Sequence, residues 1–426
     1  MESQQKRKLP ISMTGFIMLS MVAGLIFGLV VPGEFPILKL LGNVFLRLIQ
    51  MSIILLVAGQ IIEAIGGLPL RDLGKIGAKV LGVFLVTSTL AATWGVAWSY
   101  LLKPGSGLDI ENIQAGEAVT EATNITVIDT ILNFFPTNAI SAMANGNIMQ
   151  VIIFALVFGM AVSLVNHDGE LMFMGFIREF NKIILQIVKM IMKTAPVGVF
   201  ALIASSIGAY GVKVVIPLAK YLGVFAISTF TWLAVYIVVV AVITRSNPMR
   251  IVNGISRMST MALATGSSAI TLPVAMQDVQ NRLGIKQRLA QIVMPLGVTL
   301  NSNGAAMHMV ITLVTIAQLY GYEFSFSRIL YMVLLCTFAS VANAVVPGAG
   351  IVSLTIVVPQ MGLPLESIAL FAGVEWFVGM LRTINNVDGD ALAALLIAPS
   401  EGGIDHEILN GNVVIPDELP GKPAVA

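Results

Sequence analysis

Charge is what this sequence has least of: Asp, Glu, Lys and Arg make up 11% of its 426 residues, whereas hydrophobic residues make up 57%. Soluble proteins carry about 25% charged residues, so this composition predicts an integral membrane protein. The single cysteine, Cys336, excludes an internal disulfide and a metal site built from several cysteines. A net charge of +1 gives no reason to expect nucleic acid as a partner.

Catalytic motifs are missing as well. The sequence contains no Gly-Lys-Ser/Thr phosphate loop, no His-Glu-x-x-His helix and no Gly-x-Ser with a plausible helical histidine partner. Gly389-Asp390 is similar to the Gly-Asp of intramembrane aspartyl proteases, but the flanking pattern and a second Tyr-Asp helix are absent. We therefore expect that the chain is not an enzyme.

Long apolar segments dominate what is present. Six can cross a bilayer, which needs about 20 apolar residues: 11–31, 37–65, 76–102, 148–165, 176–207 and 214–243. Two later stretches, 249–278 and 329–365, have apolar halves around a polar or glycine-rich tip, which is typical of re-entrant hairpins. Each precedes a span with a polar middle, 289–319 and 368–398. The pattern predicts an all-α integral membrane protein with eight transmembrane helices and two re-entrant helical hairpins, arranged as inverted repeats.

Basic residues predict the orientation. Loops on the side of the N-terminus carry arginine and lysine, for example Arg71, Lys75 and Arg250, whereas the longest opposite loop, 104–147, carries five acidic residues. By the positive-inside rule, both termini are cytoplasmic and the chain is a multi-pass protein of the cytoplasmic membrane.

The last apolar segment carries a polar stripe. Six residues share one face of a helix there by their spacing: Glu375, Gly379, Arg382, Thr383, Asn386 and Asp390. Each charge placed toward lipid would cost about 2.5–3.5 kcal/mol on insertion scales, so this face must point into protein or water. Such a stripe predicts a functional site.

The stripe contains groups for both signs of ion. Arg382 is suited to grip a carboxylate in two hydrogen bonds, but it could equally form an internal ion pair with Glu375, Asp388 or Asp390. A hard cation such as Na⁺ prefers oxygens, which Asp390 and the interrupted backbone near Asn301 could supply. Polar side chains that converge on one occluded place favour a transporter over the alternative, an anion-conducting channel.

Two other polar features leave alternatives open. Thr87 and Ser88, in the third span, could join a second cation cage, or each could hydrogen-bond to a carbonyl of its own helix. His308 could handle protons or be a hydrogen-bonded packing residue.

These residues resemble the dicarboxylate/amino acid:cation symporter family, which includes glutamate and aspartate transporters. The likeness covers residues 13 to about 398 and is most specific in four motifs: Phe135-Pro136-Thr137-Asn138, the Ser267–Pro273 tip, Pro347-Gly348-Ala349-Gly350, and Arg382-Thr383 with Asn386 and Gly389-Asp390. The resemblance implies an elevator-type transporter, a homotrimer in membrane lipid, whose second hairpin closes over substrate and cation.

The resemblance also implies a role for each site residue. Substrate would bind at Ser267, Ser268, Val346, Pro347, Gly348, Gly379, Arg382, Thr383 and Asn386, with Arg382 on the distal carboxylate. One Na⁺ site would use Asp390 with carbonyls of Gly297, Asn301 and Asn386. A second would use carbonyls of Thr299, Ser302, Ser340, Val341 and Asn343. A third, weakened site would involve Thr87, Ser88 and Asn303.

The same resemblance divides the chain into regions. Scaffold helices 1–2 occupy residues 1–75, the third helix of the transport domain 76–103, and the outer loop with scaffold helices 4–5 residues 104–210. The rest of the transport domain is 211–399, and a cytoplasmic tail follows at 400–426.

Departures from the family pattern bear on the ions and the substrate. Asn303 replaces the aspartate of the third Na⁺ site, so that site is expected to be weak or lost. Ala305 replaces a threonine near the distal carboxylate. Gly379 replaces an aspartate that pairs with a substrate amino group. We therefore expect a symporter driven by Na⁺, with H⁺ as the alternative ion, for an acidic amino acid or a C4-dicarboxylate, and Gly379 favours the dicarboxylate.

Overall fold

The computed structural model describes residues 13–33, 35–67, 70–106, 132, 135–165, 172–210, 215–341, 349–372, 374–413 and 415. Within these residues the regular structure is helical, apart from one isolated antiparallel bridge between Ile285 and Ile404. The all-α prediction is confirmed.

In the described part of the chain, eight helices precede the first predicted hairpin. They are α1 (Met13–Val30), α2 (Pro36–Gly66), α3 (Leu70–Leu102), α4 (Ala139–Ala144), α5 (Ile148–Val165), α6 (Met172–Met192), α7 (Ala195–Tyr210) and α8 (Val215–Thr244). Within the described ranges, four helical stretches are long and apolar enough to cross a membrane, and two bent pairs would bring the number to six.

One bend corrects the predicted span 176–207. The chain there forms two helices, α6 and α7, inclined at 54° to each other. The turn between them is fixed by Thr194, whose hydroxyl donates to the carbonyl of Ile191 at 2.7 Å. Pro196 follows in the first turn of α7, where the missing N–H costs no helical hydrogen bond.

The two predicted hairpins are each a pair of helices that contact one another. The first consists of α9 (Pro248–Thr265) and α10 (Ser268–Asn281), joined at Gly266, whose φ of 57° is a left-handed conformation that glycine adopts without strain. The second consists of α13 (Phe326–Val341) and α14 (Ala349–Gln360). Its tip, 342–348, lies outside the described residues.

Both polar spans are interrupted. The first forms α11 (Gln287–Leu300) and α12 (Asn303–Leu319), with a break at Asn301-Ser302. The second was predicted as one helix over 368–398, which is wrong: α15 (Ile368–Ala372) and α16 (Glu375–Ile397) meet at 86°. A short helix, α17 (His406–Leu409), follows.

Helix contacts fall into two groups. Helices α1, α2, α5, α6 and α7 pack mainly on one another, whereas α3 and α8 pack on the group formed by α9 to α16. Within the first group, the close approach of α1 to α7 requires a glycine, because a Cβ at Gly24 would lie 2.9 Å from the carbonyl oxygen of Phe200. The groups meet where α14 touches α2, α15 touches α7, and both α3 and α13 touch α5.

Candidate functional site

Helix α16 carries the polar stripe through the centre of the second helix group. It contacts α8, α9, α10, α11 and α12, and residues 382–395 are all buried. The stripe therefore points into protein, as the cost of charge in lipid requires.

The end of the stripe near the start of α16 is built around an arginine. Arg382 is 8% exposed, and its Nη2 lies 3.1 Å from Oε1 of Glu375. That oxygen also accepts the backbone N–H of Gly350, in the first turn of α14, at 3.0 Å. Nη1 of Arg382 is buried and has no hydrogen-bond partner among the described residues. Of the ion pairs that the sequence left open, the structure has the one with Glu375.

The backbone beside Arg382 has space for a side chain at Gly379. A Cβ on Gly379 would lie 3.7 Å from Nη2 of Arg382, which is an ordinary van der Waals distance. Thr383 donates its hydroxyl to the carbonyl of Gly379 at 2.8 Å, so this side chain is satisfied by its own helix.

Asn386 ties α16 to the start of α12. Its Oδ1 accepts the backbone N–H of Gly304 at 2.8 Å. A Cβ on Gly304 would lie 3.0 Å from Cα of Arg382, so glycine allows the two helices to approach. With its oxygen held, Asn386 presents its amide nitrogen as a donor, which suits a carboxylate.

The other end of the stripe is built around a carboxylate. Asp390 is fully buried, and its Oδ1 accepts Nδ2 of Asn301 at 2.8 Å. Its Oδ2 has no hydrogen-bond partner in the described part of the chain. A Cβ on Gly297 would lie 2.5 Å from Cγ of Asp390, so this carboxyl requires a glycine in α11. An unpaired buried carboxylate oxygen is a fitting ligand for a cation that the protein carries as cargo.

The residues of the third predicted cation site lie beside Asp390. Ser88 donates to Oδ1 of Asn303 at 2.9 Å, whereas Thr87 donates to the carbonyl of Phe84 at 3.2 Å, within its own helix. Nδ2 of Asn303 is buried without a partner in the described ranges. Because an amide adds no negative charge and its nitrogen repels a cation, this set is a poor cage.

The described residues of the second predicted cation set lie near helix ends. Thr299 and Ser302 flank the break between α11 and α12, and Ser340 and Val341 end α13, which contacts α11. The hydroxyls of Thr299 and Ser340 donate to carbonyls within their own helices, at 2.9 Å and 2.7 Å. Carbonyls at a helix C-terminus lack intrahelical donors and carry partial negative charge, which suits a cation. Asn343 lies outside the described residues.

The hairpin tips are described only in part. Ser267 caps α10 by accepting the N–H of Ile270 at 3.4 Å, which leaves the N–H groups of Ser268 and Ala269 without intrahelical partners. Such groups can receive an anion. Val346, Pro347 and Gly348 lie outside the described residues.

The hydrogen bond that Asp388 in α16 accepts was not predicted from the sequence. Asp388, which the sequence considered only as a partner of Arg382, accepts the hydroxyl of Ser259 in α9 at 2.8 Å and 2.9 Å. The only available signal was a carboxylate within an apolar helix, and the partner 129 residues away carries no pattern of its own.

Buried ionic groups of both signs on α16, in a chain of long apolar helices, are typical of a membrane transporter. The comparison with known families agrees, since the sodium:dicarboxylate symporter family matches residues 13–400. The chain belongs to this family, and the resemblance noted in the sequence is confirmed.

Three relatives show the range of names in the family. The chain is 31% identical to a proton/glutamate-aspartate symporter of Bacillus subtilis (strain 168), over 90% of this chain and 94% of the relative. It is 28% identical to a C4-dicarboxylate transport protein of Bordetella avium (strain 197N), over 96% and 94%. It is 32% identical to neutral amino acid transporter B(0) of Bos taurus, over 84% and 72%. These names describe transporters, so the channel alternative gains no support.

Proposed function

We propose that the chain is a secondary active symporter that couples inward movement of a cation to uptake of a small organic anion. The observation that carries this proposal is the pair of ionic groups on α16. Among the described residues, Nη1 of Arg382 and Oδ2 of Asp390 have no hydrogen-bond partner. Eight residues separate them, a rise of about 12 Å along one helix. One rigid element therefore presents an anion-binding group and a cation-binding group together.

The anion binds at Arg382, and its arrival changes the contacts of Glu375. Arg382 carries five N–H donors, and one of its nitrogens is already paired with Glu375. A substrate carboxylate at Nη1 competes for the same positive charge. Glu375 also holds the N–H of Gly350, so this competition reaches the second hairpin. That contact gives the proposed closing of the second hairpin a physical link to substrate.

The coupling ion is Na⁺, bound by Asp390 with carbonyls of Gly297, Asn301 and Asn386. Support comes from the unpaired buried oxygen of Asp390 and from the family to which the chain belongs. The second set, Thr299, Ser302, Ser340, Val341 and Asn343, binds another Na⁺. Proton coupling is the competing assignment, because the relatives' names include both proton/sodium and proton symporters.

The substrate is a C4-dicarboxylate, with an acidic amino acid as the second candidate. Relatives of both kinds match the chain along most of its length. Gly379 favours the dicarboxylate, because a buried ammonium group needs a counter-ion that glycine does not provide. Ser267, Ser268, Thr383, Asn386 and the tip at Val346, Pro347 and Gly348 complete the proposed substrate site.

The two helix groups correspond to the proposed scaffold and transport domain. We assign residues 1–75 and 104–210 to a scaffold, and 76–103 and 211–399 to a transport domain that moves as an elevator. Eight transmembrane helices, two re-entrant hairpins, cytoplasmic termini and a homotrimer belong to the same proposal. The separation of helix contacts into two groups supports it.

Uptake into sealed proteoliposomes tests the proposal. With an inward Na⁺ gradient, the purified chain should accumulate labelled succinate or L-aspartate above the external concentration, and a sodium ionophore should abolish this. Equilibration without accumulation would mean a channel. Accumulation abolished only by a protonophore would assign the coupling to H⁺.

A further inference from the structure

A histidine beside the proposed anion site has no hydrogen-bond partner in the described part of the chain. His308 in α12 is 1% exposed, and neither Nδ1 nor Nε2 has a partner among the residues that the structure describes. The ring of Phe225 packs beside it, with centroids 5.9 Å apart, and this apolar ring has no atom that could accept from the imidazole. Buried polar side chains are normally hydrogen-bonded, so each exception calls for an explanation.

The register of two helices places this histidine level with Arg382. Asn301 bonds Asp390 and Gly304 bonds Asn386, so α12 and α16 run antiparallel along this contact. One helical turn separates residues four apart. His308 is one turn after Gly304, and Arg382 is one turn before Asn386. In this antiparallel register, His308 and Arg382 stand at the same level of the two helices.

One helical turn further along α12, a polar side chain does have a hydrogen-bond partner. Thr312, one turn after His308, lies 2.9 Å from the hydroxyl of Tyr221. Tyr221 in turn packs edge-on against Phe371, with ring centroids 4.8 Å apart. Thr312 and Tyr221 therefore satisfy each other, whereas the ring nitrogens of His308 and Nη1 of Arg382 have no partner among the described residues.

We infer that His308 is a substrate ligand and that it donates a hydrogen bond to the carboxylate held by Arg382. A carboxylate has two oxygens, and the two unpaired donors, one guanidinium N–H and one imidazole N–H, can each take one. The imidazole adds a donor without requiring a second positive charge in the membrane interior. This inference rests on the proposed function and assigns a specificity-determining residue to its substrate site.

Affinity measurements on ligand pairs test the assignment. Binding of succinate and its half-amide succinamate, and of L-aspartate and L-asparagine, is measured by calorimetry on the purified full-length chain in Na⁺. His308→Phe removes the donor but keeps an aromatic ring, His308→Gln keeps a donor, and Met309→Leu is a control at the adjacent buried position. Loss of a buried hydrogen bond to a charged group predicts a drop of about tenfold to a hundredfold for His308→Phe.

If His308 had only a structural role, the binding affinities of the variants would change in a different way. We expect His308→Phe to weaken the dicarboxylate more than its half-amide, His308→Gln to recover part of the affinity, and Met309→Leu to match the parent. Equal losses for acid and amide, or affinity within twofold of the parent, would overturn the assignment while leaving the symporter proposal intact. A parent chain that binds none of these four compounds would overturn the proposed function and this inference together.

Discussion

The two ends of the polar stripe on α16 differ in how the charge of their ionic side chains is compensated. At one end, Arg382 has an internal counter-ion, Glu375, at 3.1 Å. At the other end, Asp390 has a neutral amide on one oxygen and, among the described residues, no partner on the second. The anion site therefore starts electrically balanced, whereas the cation site is balanced only when a positive ion arrives.

This difference predicts how the two solutes behave. A substrate carboxylate at Arg382 must compete with Glu375, so anion binding is an exchange of partners. A cation at Asp390 replaces nothing and supplies the missing charge. We therefore expect the cation to bind first and to strengthen anion binding, because it removes the net negative charge that Asp390 leaves on the helix.

The largest expected effect follows from removing the arginine. Arg382→Ala deletes the cation of the anion site and leaves the partly buried Glu375 without its counter-ion. Succinate and L-aspartate binding should fall below detection in calorimetry, while Na⁺ binding persists. Arg382→Lys is the control, since a lysine keeps the charge but loses the bidentate fork. Unchanged affinity in Arg382→Ala would remove this residue from the site.

The next effect concerns the other end of the stripe. Asp390→Asn removes the carboxylate of the proposed cation site and should raise the Na⁺ concentration needed for half-maximal uptake by about tenfold or more, since charged hydrogen-bonding groups contribute about 1.5–3 kcal/mol. The matched control is Asp388→Asn, which removes a buried carboxylate two residues away that is bonded to Ser259. An identical Na⁺ dependence in Asp390→Asn and the parent would refute the ligand assignment.

A smaller effect tests which of the two candidate substrates the site prefers. Gly379→Asp places a carboxylate where a Cβ already fits beside Arg382. It should shift preference from succinate toward L-aspartate by several-fold, because the new carboxylate can pair with an ammonium group. Gly379→Ala controls for the added side-chain volume. The expectation fails if competition assays give the same ratio of affinities for all three proteins.

The smallest effect concerns the third cation set. The parent should transport fewer than three Na⁺ per substrate, because Asn303 is a neutral amide at the position where the family resemblance implies a carboxylate ligand. Asn303→Asp should steepen the Na⁺ dependence of uptake, with Asn303→Ser as a neutral control. Parallel measurements of ²²Na⁺ and substrate fluxes give the stoichiometry. Three Na⁺ per substrate in the parent would show that the third cation site is still present despite Asn303.

Much of this arrangement follows from the sequence because it is local. The stripe on α16, the break at Asn301 and the two-helix hairpins are patterns of spacing and of glycine, proline and polar residues within one segment. The bend at Thr194 and the break before Glu375 were not predicted from the sequence, because apolar residues continue on both sides of each.

Contacts between distant segments could not be predicted. Arg382 has several acidic residues nearby in sequence, and only the fold selects Glu375 and adds the N–H of Gly350. Likewise, nothing in the sequence pairs Ser259 with Asp388 or leaves His308 without a partner. These relations depend on how α9, α12, α14 and α16 pack, which no single segment encodes.

The most direct test of the account measures substrate affinity as a function of Na⁺ concentration in the purified chain at constant pH, with choline replacing Na⁺. If an unbalanced Asp390 and a balanced Arg382 are the basis of coupling, affinity for succinate or L-aspartate rises steeply with Na⁺ in the parent, and Asp390→Asn flattens that rise. Equal affinity in Na⁺ and choline, or the same slope in Asp390→Asn, would contradict it.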